Sequence, residues 1–115
     1  MLTELFTKQA KKMTETAKND KKLYYFYAKW CEYCTTMTRV LERDLSSESV
    51  ILIPLDIDQH EAEMAQWHIH NIPVAVLVDS DTGERLSTLV GAPNEQHVIN
   101  WLEQTGLYSP KKIAA

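Results

Sequence analysis

Apolar residues recur at three- and four-residue steps at the start of the chain, at Leu2, Leu5, Phe6, Ala10, Met13 and Ala17. This spacing predicts an amphipathic helix, which Asn19-Asp20 ends. The period then changes. Residues 23–28 form an aromatic-rich apolar run with the content of a buried strand. From Cys31 to about residue 44, Thr35, Met37, Val40 and Leu41 are interleaved with Arg39, Glu42 and Arg43, as on an amphipathic helix that Ser46-Ser47 breaks. Residues 50–56 are apolar and β-branched but carry Pro54, which places that strand at or near a sheet edge.

A short helix is expected from Gln59 to about His68, with Ala62, Met64, Ala65 and Trp67. Asn71-Ile72-Pro73 then leads into a strand over 74–79. Ser80-Asp81-Thr82-Gly83 supplies turn residues, and 86–90 completes a hairpin. Beyond Gly91, Pro93-Asn94-Glu95 opens a last helix with Val98, Ile99, Trp101 and Leu102 facing inward and Gly106 as its stop. The end of the chain, with Pro110-Lys111-Lys112, reads as a flexible tail. The long crossover between the first two strands makes them parallel, and the tight turn makes the last two antiparallel. The expected fold class is therefore α/β, a mixed central four-stranded sheet with helices on both faces. Residues 1–20 would be a helix of the same domain, 21–107 its core and 108–115 the tail.

Composition adds limits. The 115 residues, 44% hydrophobic and 24% charged, suit one globular domain whose core needs no disulfide staples. The apolar runs are far too short to span a bilayer. No leader is visible, because Leu2, Leu5 and Phe6 are diluted by Thr, Glu, Lys and Gln. The expected location is cytoplasmic, or periplasmic if Met1 replaces a removed signal peptide. A net charge of −4 argues against nucleic acid as a main partner. The charge is uneven: residues 1–29 carry seven Lys against three acids, and the remainder five basic against thirteen acidic groups. A solvated lysine face on the first helix accounts for this better than a dock for an acidic partner.

Only two cysteines occur, in Trp30-Cys31-Glu32-Tyr33-Cys34. A bond between them closes a very small loop and restricts the unfolded chain little, so the pair is there for chemistry more than for stability. The strand delivers Cys31 to a helix N-terminus, where unpaired N–H groups and the helix dipole favour a thiolate. Cys34, one turn later, is placed to attack a mixed disulfide formed at Cys31. The spacing suits dithiol–disulfide exchange, with Cys31 as nucleophile and Cys34 as resolving thiol.

The ordered set of motifs resembles the thioredoxin family over roughly residues 20–106. Phe26-Tyr27-Ala28-Lys29-Trp30-Cys31 is similar to the family's approach to its active site. Asp56-Ile57-Asp58-Gln59 resembles the end of its next parallel strand, Ile72-Pro73 its cis-proline, and Val90-Gly91-Ala92 the glycine turn before its last helix. Phe26-Tyr27-Ala28 with the Met-bearing helix looks closest to bacterial domains that relay electrons to extracytoplasmic thiols. The resemblance implies a protein-disulfide reductase with no organic cofactor, fed by a separate electron-donor reductase, with no membrane insertion, acting as a monomer. It also implies that a cis Pro73 leaves the backbone of Ile72 free to pair with a substrate strand, and that Gly91 lets backbone approach the same groove. Two departures stand out. Tyr25 occupies the place of a buried Asp, and Pro54 that of a strand lysine. A tyrosine is a poor base at neutral pH, so resolution by Cys34 is expected to rely on solvent or another group.

The remaining candidates act around the thiols. Trp30 would cover them and offer an apolar platform to an extended substrate. Glu32 would raise the Cys31 pKa and Lys29 lower it, while Glu32-Tyr33 replaces the family's Gly-Pro. The lack of His between the cysteines points away from a strong oxidase. His68 and His70 are acceptable zinc ligand types beside the two cysteines, but H-x-H fits no common finger spacing, so no metal is assigned. The alternatives are an interaction or metal-binding module that keeps the fold, and an oxidase or isomerase.

Overall fold

The computed structural model describes residues 20–46, 48 and 50–109, so the expected helix over residues 1–20 lies outside the described residues. Four strands form one sheet: β1 (Lys21–Tyr27), β2 (Val50–Asp56), β3 (Val74–Asp79) and β4 (Arg85–Val90). Their order is β2-β1-β3-β4. β1 pairs parallel with β2 and antiparallel with β3, and β3 pairs antiparallel with β4. Pro54 stands in β2, at the sheet edge, where a residue without an N–H is tolerated.

The period of two along β1 sends alternate residues to opposite faces. On one face Leu23 and Tyr25 join Ala75, Leu77 and Leu89 beneath two helices, α1 (Glu32–Asp44) and α3 (Glu95–Gln104). Met37, Val40, Leu41, Val98, Trp101 and Leu102 fill that layer. On the other face Phe26, Val74, Val76 and Val78 pack with Leu55 and Ile69, with Met64 and Trp67 against them. Met64 belongs to the short α2 (Glu61–Gln66).

α2 is shorter than its periodicity suggests. At its start, Asp56 accepts the backbone N–H of Gln59 on its carbonyl and that of Asp58 on its carboxylate, holding 56–59 as a turn. At its end, His68 takes a positive φ of 57°. Ile99 is only partly buried, whereas Val98, Trp101 and Leu102 face inward as expected.

Both ends of α3 follow from local chemistry. Asn94 caps its start by accepting the His97 N–H at 2.9 Å. At its finish Gly106 has φ 77°, Gly106 N–H bonds Glu103 O and Leu107 N–H bonds Leu102 O, a Schellman ending that buries Leu107 on Leu102. Tyr108 and Ser109, the first residues past the expected core, bond back to the end of α1: Tyr108 bridges Leu45, and Ser109 N–H donates to Asp44 O. The buried Asp44 carboxylate receives Arg43, and Arg43 and Arg39 both reach Glu95, tying α1 to α3. Among the described residues no helix is long and apolar enough to cross a membrane.

Phe26 is fully buried between strands of the second face. Phe26→Ala is expected to destabilise the protein by about 3–5 kcal/mol in urea unfolding. A second expectation concerns acid. The guanidinium groups of Arg39 and then Arg43 hold the Glu95 carboxyl below its usual range. Backbone N–H groups of Thr82 and then Asp81 do the same for Asp79. A depressed folded pKa stabilises the fold above the unfolded pKa, and that contribution is lost as pH falls through the folded value. The urea midpoint should therefore drop as pH falls below the ordinary carboxylate range, and Glu95→Gln should make the drop shallower.

Candidate active site

β1 ends at Tyr27, and a tight turn in which Cys31 N–H bonds Ala28 O carries the chain into α1. Cys31 is the N-cap of that helix, in extended conformation, and its sulfur accepts the N–H of Cys34 at 3.2 Å. A helix N-terminus offers unpaired donors and a positive dipole end, so negative charge on this sulfur is favoured. Cys34 lies one turn in and is 2% exposed, while Cys31 is half-buried. The two sulfurs are joined in a disulfide with the Cα atoms 5.3 Å apart. The structure thus holds the oxidised end of an exchange cycle.

The surroundings assemble from the ends of the other strands. The Ile72–Pro73 bond is cis, and Pro73 is buried at the start of β3. Pro73 O accepts the Gly91 N–H at 2.8 Å, and Gly91, just past β4, has φ 83°, where glycine is at ease. Ile72 is half-buried against the second core face. Trp30 is 66% exposed, and its indole N–H donates to the Asp58 carboxylate at 3.2 Å. The Asp58 backbone N–H donates in turn to the carboxylate of Asp56, the last residue of β2. The indole is therefore an exposed apolar surface tethered by its polar edge. Tyr33 is as exposed as Trp30, and Lys29 and Glu32 are also exposed. His68 and His70 are exposed, and among the described residues no three His, Cys, Asp or Glu side chains gather as metal ligands do.

Tyr25 lies beneath α1. Its hydroxyl donates to Cys34 O at 2.8 Å and is 2.7 Å from the Thr38 hydroxyl. A phenol has one proton, so with that proton on Cys34 O the Thr38 hydroxyl is the donor of the second bond. Burial, partly offset by the Thr38 bond, pushes the Tyr25 pKa up to about 12. Two partners carried no role in the sequence reading: Asp58 for Trp30, and Thr38 for Tyr25. Thr38 stands four residues after Cys34 on the same helical face, a spacing that pointed to it. Nothing in sequence spacing pairs Trp30 with Asp58.

A dithiol that closes to a disulfide across one helical turn, with one sulfur accessible and the other buried, moves electrons by thiol–disulfide exchange. The chain is a thiol–disulfide oxidoreductase. The thioredoxin family model matches residues 3–104, and the chain belongs to the thioredoxin family. It is 30% identical over 80 residues to thioredoxin of Chlamydia caviae, covering 69% of this chain and 76% of that one. Thioredoxin of Rickettsia bellii matches at 30% over 67% of this chain and 73% of its own. Among solved structures, thioredoxin of Malassezia sympodialis superposes with TM-score 0.64 at 21% identity, covering 79% and 81% of the two chains. A thioredoxin variant from Halobacterium salinarum gives TM-score 0.60 at 27% identity, covering 77% of each.

The raised Tyr25 pKa has a direct readout. Phenolate absorbance should show a tyrosine titrating near pH 12, and Tyr25→Phe should remove that transition and cost about 1 kcal/mol of stability.

Proposed function

We propose that the chain reduces disulfides in proteins, with Cys31 as nucleophile and Cys34 as resolving thiol. Members of the family act on protein disulfides and take electrons from a reductase, and this reading gives the chain the same two partners. The observation that carries it is the asymmetry of the pair: Cys31 caps the helix half-buried, while Cys34 is 2% exposed behind it. The Cys31 thiolate attacks a substrate disulfide, forming a mixed disulfide and releasing one thiolate. The Cys34 thiolate then attacks the Cys31 sulfur, and the second substrate thiolate leaves as the Cys31–Cys34 bond closes.

Trp30, Ile72, Pro73 and Gly91 form the docking side of this reaction. The exposed Trp30 indole and the backbone at Ile72 fit an extended segment of an unfolded or mobile substrate. Lys29 and Glu32, both exposed and close to Cys31 in the chain, would act on its thiolate in opposite directions. The family match begins at residue 3, which supports counting the first twenty residues in the same domain. A reductase that works as a dithiol suits a compartment where thiols stay reduced, such as the cytoplasm.

Cys31→Ser should abolish reduction of a disulfide substrate, and Cys34→Ser should accumulate covalent complexes through Cys31, seen by mass under denaturing, non-reducing conditions. Redox titration of the wild-type pair should give a reversible two-electron transition near −270 mV, whereas a value near −120 mV would mark an oxidase. Full turnover by Cys31→Ser protein would sink the mechanism.

A further inference from the structure

Resolution requires Cys34 to lose a proton, and its surroundings restrict where that proton goes. This step rests on the roles proposed above for the two cysteines. The hydroxyl under the Cys34 turn is already committed: Tyr25 donates to Cys34 O and stands in a second bond with Thr38. Tyr25 holds the backbone of the resolving residue, and a neutral phenol in the core does not take up a thiol proton.

The way out is a cleft of about 340 Å³ beside the disulfide, whose lining includes Cys34, Thr38, Tyr27, Lys29, Arg39 and Glu42. It adjoins a recess of about 250 Å³ that shares Tyr27, Thr38 and Glu42 and is closed by Leu41, Leu52 and Pro54. These volumes admit several waters among polar partners. The described elements that line these spaces contribute the following groups. β1 and its turn supply Tyr25, Tyr27 and Lys29; α1 supplies Cys31, Cys34, Arg39 and Glu42; β2 supplies no charge. Ammonium and guanidinium groups donate protons and do not accept them. Among the described residues lining the two spaces, Glu42 is the only carboxylate.

We propose that Glu42 is the proton acceptor for Cys34 in the resolving step, reached through water in this cleft. In the mixed disulfide the Cys34 S–H proton passes through water to the Glu42 carboxylate. The Cys34 thiolate then bonds to the Cys31 sulfur, and the bond from Cys31 to the substrate sulfur breaks. The electron pair leaves on the substrate thiolate, which takes a proton from solvent as Glu42 returns its own. Two electrons pass from the dithiol to the substrate, and no further reactant is needed.

The sign of one substitution separates this role from simple charge. A nearby negative charge disfavours a thiolate, so as a bystander Glu42 would slow resolution and Glu42→Gln would speed it. As acceptor, Glu42 accelerates the step and Glu42→Gln slows it. The full chain, reduced, is mixed with a synthetic disulfide-linked peptide pair, quenched in acid at intervals and weighed. With Glu42→Gln the mixed disulfide at Cys31 should form at the wild-type rate but decay about tenfold or more slowly near neutral pH. Its decay should also depend more steeply on pH, and Glu42→Asp should restore part of the rate. The rate of formation in the same trace reports a folded site. Decay of the Glu42→Gln adduct at or above the wild-type rate overturns the proposal. If Cys34→Ser protein, which lacks the resolving thiol, traps no adduct at Cys31, the exchange reading itself falls and this proposal with it.

Discussion

The antiparallel pairing of β1 with β3, from Lys21 opposite Asp79 to Phe26 opposite Val74, is the constraint on which the site depends. In that register the end of β1 and the start of β3 lie at one end of the sheet. β1 leaves there toward Cys31, and β3 enters there from Pro73. β4 returns to the same end, with Val90 opposite Val74, and so delivers Gly91 to the Pro73 carbonyl. β2, parallel to β1, finishes there at Asp56 and supplies Asp58 to Trp30. Each strand gives one component. A slip of one residue would exchange the two faces of β1, exposing Leu23 and Tyr25 to the wrong layer, so burial on both faces fixes the register.

Tyr25 shows how the core and the chemistry are kept apart. The position lies under α1, 3% exposed, against Met37 and Leu41. A carboxylate there would lose its hydration in an apolar layer, which is costly without a paired charge. A neutral phenol fills the same space and satisfies its hydroxyl on Cys34 O and Thr38. The carboxylate among the described residues of the neighbouring cleft is instead Glu42, on the exposed side of α1. At this site charge is thereby kept at the solvent margin, and the proton path proposed above runs through the cleft rather than through the core.

Much of this was legible from period and punctuation. The strand over 74–79 and the last helix follow from apolar runs bounded by strong local signals, Pro73 before the strand and Asn94 and Gly106 at the two ends of the helix. Pro54 marked an edge strand because a missing N–H is a local fact. The cis state of Pro73 was not local; it came only from the family resemblance, since nothing in the peptide itself selects it. Helix α2 is shorter than its spacing suggests, although Trp67 keeps the helical spacing. The Asp56 turn holds the backbone up to Gln59 at its start, and His68 leaves the helical region at its end. The contacts from Trp30 to Asp58 and from Arg43 to Glu95 join residues far apart in the chain, and no spacing rule reaches them.

The order of events in exchange follows from where one helix begins. Cys31 sits at the cap, where the first turn of α1 aims its free N–H groups and the Cys34 N–H points at its sulfur. Stabilisation by the helix end falls off within a turn, so the same field acts less on Cys34. Cys34 is also covered, with 2% of its surface exposed. Access and charge together thus favour Cys31 in the attacking role proposed for it. Cys34 meets only the sulfur directly before it on the helix, and only once Cys31 is bonded to something else. Directionality in the pair therefore needs no moving part: a three-residue offset across a helix boundary gives the two sulfurs different neighbours, and different neighbours give them different steps.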